Sequence, residues 1–143
     1  MDGIIECPQC GARNRVPRAH PGSPECGRCH SPLPWLISAG DTDFDEVTAA
    51  ASLPVLVDLW APWCGPCLML APVVEGITRT QAGRIKVVKV NVDESPAIAR
   101  RFGVQGIPTL LILRSGRVVA RQVGALSARA LESWLQDATD RAA

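Results

Sequence analysis

The feature that most constrains this chain is a pair of cysteines, Cys64 and Cys67, at the junction of two apolar segments. The segment before them has the length of a strand (residues 55–60), and the one after them has helical periodicity up to about residue 80. The first turn of a helix carries unpaired N–H groups and the positive end of the helix dipole, which favour a thiolate. Residues three apart also share one helix face. The sequence therefore predicts a dithiol that closes and reopens as a disulfide.

Composition limits the class of protein. With 143 residues, 47% of them hydrophobic and 20% charged, the chain can build one core plus a small module and is not of disordered type. A net charge of +1 gives no reason to expect a nucleic-acid or membrane partner. The N-terminus has no pattern of a secretory signal, and no apolar run has the length of a membrane span. We expect a cytoplasmic monomer.

Residues 1–33 contain two more C-x-x-C pairs, Cys7/Cys10 and Cys26/Cys29, separated by fifteen residues. This spacing is typical of zinc sites with four cysteine ligands. Few large apolar residues lie in this segment, and so short a module seldom folds without a metal or cross-links. We therefore predict one structural Zn²⁺ per chain, held by these four cysteines in a small zinc-ribbon-like module.

Other interpretations of this segment stay open at the level of sequence. The four cysteines can form two structural disulfides, although a reducing compartment disfavours them. Cys26 to His30 also has the C-x-x-C-H pattern of c-type haem attachment, and His30 can replace one cysteine as a metal ligand. Three arginines, at positions 13, 15 and 18, are either a solvated loop or a small nucleic-acid contact.

Three blocks of sequence resemble the thioredoxin family. They are Val57-Asp58-Leu59-Trp60-Ala61-Pro62-Trp63-Cys64-Gly65-Pro66-Cys67, then Gly106-Ile107-Pro108-Thr109, and finally Val123-Gly124-Ala125-Leu126. The resemblance covers the chain from about residue 36 to its C-terminus. With the four-cysteine zinc-binding module in front, the whole chain is similar to the thioredoxin 2 type of bacterial proteins.

The order of predicted elements agrees with this resemblance. Beyond residue 33 we predict β-α-β-α-β-α-β-β-α, which implies an α/β fold with a mixed central sheet and helices on both faces. The resemblance names it a thioredoxin fold. We predict two domains, a zinc-binding module at 1–33 and a thioredoxin domain at 34–143, joined by the stiff connector Ser31-Pro32-Leu33-Pro34.

For Asp58 and Pro108, the chemistry of the residue and the family resemblance each give an expectation. Asp58 interrupts an apolar strand, so it either has a raised pKa as a buried acid or reaches water at the strand end. The resemblance makes it the acid/base that deprotonates the inner cysteine, accompanied by Lys89. Only about 5–6% of X-Pro bonds are cis, so Pro108 alone would be expected in trans. The resemblance implies a cis proline against the active-site disulfide.

The resemblance also implies a substrate-docking surface, which consists of Trp63, Gly65, Pro66, Ile107, Pro108 and Gly124. There the backbone of Ile107 would pair with an incoming strand. One position departs from the family: many thioredoxins carry Lys or Arg directly after the second cysteine, and this chain has Leu68. We expect this loss of a cation to raise the Cys64 pKa slightly and to change partner preference.

The function predicted from these residues is that of a thiol–disulfide oxidoreductase. Cys64 attacks and Cys67 resolves, and the resemblance implies disulfide-containing protein substrates and recharging by thioredoxin reductase. The alternative is a zinc- or redox-sensing binding module whose N-terminal domain recruits a partner. A third possibility is that the N-terminal cysteines are themselves a redox store.

Metal content and thiol counts test these expectations together. We expect one zinc per chain, and mild oxidation that removes only the thiols of Cys64 and Cys67, because metal-bound thiolates resist oxidation. Elemental analysis and a free-thiol assay on reduced and oxidised protein measure both quantities. Loss of all six thiols with release of the metal would favour the redox store instead.

Overall fold

The computed structural model describes residues 3–142, with seven strands and four helices. The strands are β1 (Ile4–Glu6), β2 (Arg13–Arg15), β3 (Leu36–Ser38), β4 (Val55–Trp60), β5 (Lys86–Asn91), β6 (Thr109–Arg114) and β7 (Arg117–Val123). The helices are α1 (Phe44–Ala49), α2 (Gly65–Thr80), α3 (Pro96–Arg101) and α4 (Ala128–Ala142). No helix in this part of the chain is both long enough and apolar enough to cross a membrane.

A mixed five-stranded sheet organises the larger part of the chain, with the strand order β3-β5-β4-β6-β7. Strands β3, β5 and β4 run parallel, while β6 and β7 are antiparallel neighbours at the other side. Because β4 and β5 are parallel, the residues that follow them meet at one edge of the sheet. That edge is where α2 begins.

Both faces of the sheet are covered, as the alternation of side chains along β4 requires. Val57 and Leu59 point to the face covered by α1 and α3, where Phe44 and Ile98 lie. Leu56 points to the opposite face, which is covered by α2 and α4. In α4 the residues Leu131, Leu135 and Ala138 are buried and Trp134 is half-buried, so they form the apolar stripe that faces the sheet. The α/β class and the mixed sheet are therefore confirmed.

Helix starts differ in detail from the prediction. The sequence favours Thr42 as the N-cap of α1, because threonine is a good capping residue and acidic residues follow it. The observed N-cap is Asp43, which makes no side-chain bond to the helix and instead accepts the N–H of Gly40. Ser95 is the N-cap of α3 but likewise makes no capping bond. The carboxylate of Asp41 accepts the N–H groups of Ala97 and Ile98 in its place. Asp41, which is distant in sequence, therefore caps α3 in place of the Ser95 side chain.

The N-terminal segment shares a core with the sheet. It contributes a two-stranded antiparallel pair, β1 and β2, which the sequence analysis did not predict. Four of its side chains, those of Cys7, Val16, Cys26 and Leu33, belong to the same apolar cluster as α1 and β4. The predicted connector is part of this contact, because Leu33 is fully buried.

Lys86 connects the N-terminal segment to the sheet through buried hydrogen bonds. Its side chain is fully buried at the start of β5. The ammonium Nζ donates to the carbonyl oxygens of Arg18 at 2.5 Å and Val47 at 2.6 Å, and it lies 4.1 Å from the ring centre of Trp35. Burial, and then the charge of Arg18, lower the pKa of Lys86 to about 8. Two carbonyls and an aromatic face thus replace the water that the ammonium has lost.

Replacing Lys86 by methionine tests this contact. We expect Lys86→Met to lower the free energy of unfolding by about 2–3 kcal/mol, because two buried acceptors lose their donor while the apolar stem is kept. Urea denaturation at neutral pH measures the change. Arg84→Met, an exposed position two residues earlier, is the matched control and should change stability little. Equal stabilities for both variants would contradict the assignment.

Candidate functional site: a disulfide at a helix start and a four-cysteine cluster

Cys64 is the N-cap of α2, and Cys67 lies in its first turn. The two form a disulfide with their Cα atoms 5.2 Å apart. The Sγ of Cys64 accepts the backbone N–H of Cys67 at 3.2 Å. An N–H that would otherwise lack a partner at the helix start therefore points at the sulfur, which is the arrangement that stabilises a thiolate. The predicted dithiol/disulfide is confirmed in geometry.

The loop that precedes β6 lies next to the sulfur of Cys64. The Ile107–Pro108 peptide bond is cis, which corrects the trans form expected from base rates alone and agrees with the resemblance. The carbonyl oxygen of Ile107 lies 3.7 Å from Cys64 Sγ, and the carbonyl of Pro108 accepts the N–H of Gly124 at 2.8 Å. Gly124 has φ +100°, a conformation that side-chain-bearing residues rarely adopt. The sequence blocks that contain Pro108 and Gly124 therefore lie next to the block that contains Cys64.

The surface around the disulfide is apolar and accessible. Trp63 is 69% exposed, Leu68 53% and Val123 53%, and Gly65 and Pro66 are also exposed. Cys64 itself is buried in this oxidised state, so only its immediate rim offers contact to a partner. Leu68, the departure from the family pattern, extends the apolar area on the α2 side. The residues predicted for docking therefore lie together around Cys64.

One residue of this surface, Asp93, was not predicted from the sequence. Its carboxylate accepts the indole N–H of Trp63 at 2.8 Å, which fixes the ring beside the disulfide. Asp93 follows β5, and Trp63 follows β4, its parallel neighbour. The signal was available, since residues after adjacent parallel strands meet at one edge.

Asp58 and Lys89 are register partners on the adjacent parallel strands β4 and β5. Asp58 is 1% exposed, and its Oδ1 has no hydrogen-bond partner among the described residues. Burial raises the pKa of Asp58 to about 6, against the opposing charge of Lys89. Lys89 lies 4.7 Å from the ring centre of Trp60. Asp58 is thus a buried acid, not a strand-end acid that reaches water, and it can exchange a proton near neutral pH.

The four N-terminal cysteines converge as the sequence predicted. Their sulfurs lie within 4.8 Å of one another, and all four are free thiols. The nearest contacts, Cys7 to Cys29 and Cys10 to Cys26, are 3.5 Å each and join one pair to the other. Four thiolates at about 2.3 Å from a tetrahedral metal would be about 3.8 Å apart. The cluster can therefore hold a metal ion.

Both C-x-x-C turns are built in the same way. The residue after each second cysteine, Gly11 or His30, has positive φ and donates its N–H to the carbonyl of the first cysteine at 2.9 Å. His30 therefore serves the backbone turn, and the metal-ligand group found among residues 3–142 consists of the four cysteines without it. Convergence of two thiol pairs also fits a metal site better than haem attachment or two local disulfides.

Hydrogen-bond donors lower the pKa of two of the four cysteines, which favours their metal-binding thiolate form. The N–H groups of Cys29 and Arg28 lower the pKa of Cys26 to about 6, and the Ser31 hydroxyl lowers the pKa of Cys29. Burial raises the pKa of Cys7. Thiolates at Cys26 and Cys29 are the form that binds metal. The arginines of this segment are divided: Arg13 and Arg15 are exposed, whereas Arg18 is paired with Asp43 at 2.6 Å.

Comparison with known proteins gives one consistent family. The family model for thioredoxin matches residues 35–137. Thioredoxin of Haemophilus influenzae is 46% identical over 100 residues, which are 70% of this chain and 94% of that protein. Thioredoxin 1 of Nostoc sp. is 48% identical over 96 residues, or 67% and 90%. Thioredoxin C-3 of Corynebacterium nephridii is 39% identical over 135 residues and covers 92% of each chain, so its similarity extends into the four-cysteine segment.

Because the pKa of Asp58 is raised, we predict that Asp58→Asn increases the free energy of unfolding by an amount that depends on pH. Between about pH 4 and pH 6 the folded state holds a proton that the unfolded state has lost, so wild-type stability falls as pH rises through this range. We expect the variant to be more stable than wild type by about 3 kcal/mol at pH 8. At pH 4 this advantage should vanish. Urea unfolding of both proteins at the two pH values measures it, and a difference independent of pH would refute the assignment.

Proposed function

This chain belongs to the thioredoxin family, and from that premise we propose that it is a protein-disulfide reductase recharged by thioredoxin reductase. As a family member it is a thiol–disulfide oxidoreductase, and the proposal adds the direction of electron flow and its source. The single observation that carries it is the Cys64–Cys67 disulfide at the start of α2, beside the backbone of Ile107.

The first step forms a mixed disulfide. The Cys64 thiolate attacks one sulfur of a substrate disulfide, so that the substrate S–S bond breaks and the other substrate sulfur leaves as a thiolate. Two features support Cys64 as the attacker: its position as N-cap and the N–H of Cys67 that points at its sulfur. An extended substrate segment that pairs with the backbone at Ile107 would hold the scissile sulfur at Cys64.

The second step releases the product. Cys67 loses its proton to Asp58 and attacks Cys64 Sγ, which expels the second substrate thiolate and leaves the protein disulfide seen in the structure. Two electrons have then passed from the dithiol to the substrate. The pKa of about 6 makes Asp58 a suitable acceptor at neutral pH, and Lys89 opposes its neutralisation. Thioredoxin reductase would return the two electrons and the protons.

The docking surface in this proposal contains Trp63, Gly65, Pro66, Ile107, Pro108 and Gly124, as the resemblance implied. Its support is the exposure of the rim and the hydrogen bond of Gly124 to Pro108, which keeps the loop in place. Partners are accordingly proteins with accessible disulfides. We propose a monomer in the cytoplasm, where free thiols stay reduced.

We propose that zinc is the metal of the four-cysteine cluster and that its role is structural. Four thiolate ligands are the set that Zn²⁺ prefers for closed sites, and such a site adds folding free energy to a module with a small core. Residues 1–33 would form this module and 34–143 the catalytic domain. The buried contacts of Leu33 and Lys86 support a module that stabilises the sheet. They favour this role over an independent partner-recruiting module, the alternative function.

Serine variants of the two cysteines test the mechanism. In an insulin-reduction assay with NADPH and thioredoxin reductase, Cys64→Ser should abolish activity, because no attacking thiolate remains. Cys67→Ser should also lose turnover, but it should accumulate a mixed disulfide with substrate, since nothing evicts it. Non-reducing electrophoresis and mass spectrometry detect this species.

The roles of the two cysteines are distinguished by which variant traps substrate. If Cys64→Ser retains wild-type turnover, or if it is Cys64→Ser that traps substrate, the assignment is wrong. Cys29→Ser is a useful comparison, because it alters the metal cluster but no attacking or resolving thiol; it should still reduce insulin if the folded protein is recovered.

A further inference from the structure

Beside the disulfide lies a groove of about 350 Å³ that takes no part in the thiol–disulfide exchange itself. It runs between Trp63 on one side and α3 on the other. Its apolar walls include Trp63, Val92, Val104 and Ile107. Ile107, whose backbone would pair with substrate, thus also lines the groove, so side chains next to a substrate cysteine would enter this space.

One cation lines the groove, Arg100 in the last turn of α3. Arg100 is exposed, and no acidic side chain forms an ion pair with it among residues 3–142. The neighbouring acids are engaged elsewhere. Asp93 accepts the indole of Trp63, Asp45 pairs with Arg101 at 2.6 Å, and Asp41 caps α3.

The other arginines near the groove do not substitute for Arg100. Arg101 points away to Asp45 and the Phe102 ring. Arg121 donates to the carbonyls of Phe102 and Gly103. Gln105, the second polar residue on the groove, carries no charge. Among the described residues that line the groove, the one charged side chain is therefore that of Arg100, and its charge is positive.

We infer that this groove selects substrate segments with an acidic side chain close to the reacting cysteine, and that Arg100 is the specificity-determining residue. The inference rests on the proposed function, because it concerns which disulfides are reduced and not whether they are. The guanidinium offers paired donors that match a carboxylate, and the apolar walls exclude part of the competing water. A basic segment would meet like charge in the same place.

The size of the effect follows from exposure. A solvent-exposed ion pair contributes modestly, which corresponds to about a 2- to 5-fold preference for an acidic over a neutral segment. Between acidic and basic segments the ratio should reach about 10-fold. The preference should shrink at high salt, since ions screen exposed charges within a few ångströms.

A set of three peptide disulfides tests the inference directly. Each is a symmetric dimer of a short peptide with a central cysteine, flanked by glutamate, glutamine or lysine. Pre-reduced protein is mixed with each dimer, and oxidation is followed in a stopped-flow instrument by tryptophan fluorescence, so no reductase is needed. We expect the glutamate dimer to react fastest and the lysine dimer slowest, with the ratio near 1 in molar salt.

Variants assign the preference to one side chain. Arg100→Ala should bring the glutamate-to-lysine ratio towards 1, Arg100→Glu should invert it, and Arg100→Lys should retain most of it. Arg84→Glu makes the same charge change at an exposed position in the turn between α2 and β5 and should leave the ratio as in wild type. Arg100 also complements the α3 dipole, so stability is measured for each variant.

The outcomes separate the two proposals. Failure to oxidise with any peptide would contradict the proposed function itself. Reduction of all three at one rate, or an unchanged ratio in Arg100→Ala, would overturn the inference and leave the reductase intact. Loss of stability without a change in the ratio would show that Arg100 serves the helix only, which also overturns it.

Discussion

The short approach between the N–H of Cys67 and the sulfur of Cys64 is the contact on which this site depends. It exists only if a helix begins at Cys64, and the helix begins there because β4 delivers the chain to the edge of the sheet at Trp60. Pro66 at the second helical residue is compatible with that start, since its missing N–H lies among those with no partner in the helix. The reactive group is thus positioned by backbone alone.

The second constraint is that β3, the border strand on the parallel side of the sheet, must be covered. Strand β3 is short and lies at the border of the sheet, where unpaired backbone would otherwise face water. The four-cysteine segment packs beside it and shares the apolar cluster of α1. Lys86 makes this contact specific, because its ammonium needs acceptors from both sides, the carbonyls of Arg18 and Val47. A change in the four-cysteine cluster would therefore affect the sheet that leads to Cys64 as well.

Much of this was readable from the sequence, and the failures have physical causes. Apolar runs and turn residues predicted the order of the strands and helices beyond residue 33, and the bounds predicted for β4 and for the end of α2 agree with the structure. The strands β1 and β2 were not predicted because each has only three residues, too few to show a period, and β2 consists of polar residues alone. The capping of α3 by Asp41 escaped because it joins residues far apart in sequence. Lys86 reads as an ordinary surface lysine until the fold surrounds it.

The composition of the docking surface has a consequence for specificity. A partner that pairs with the backbone at Ile107 gains hydrogen bonds that do not depend on its sequence. The exposed side chains around Cys64 are apolar, with Leu68 where many relatives of the family carry a cation. Such a surface accepts many substrates and distinguishes few. The charge of Arg100 on its border is then enough to bias the choice, because Arg100 is the one charged side chain among the described residues that line the groove.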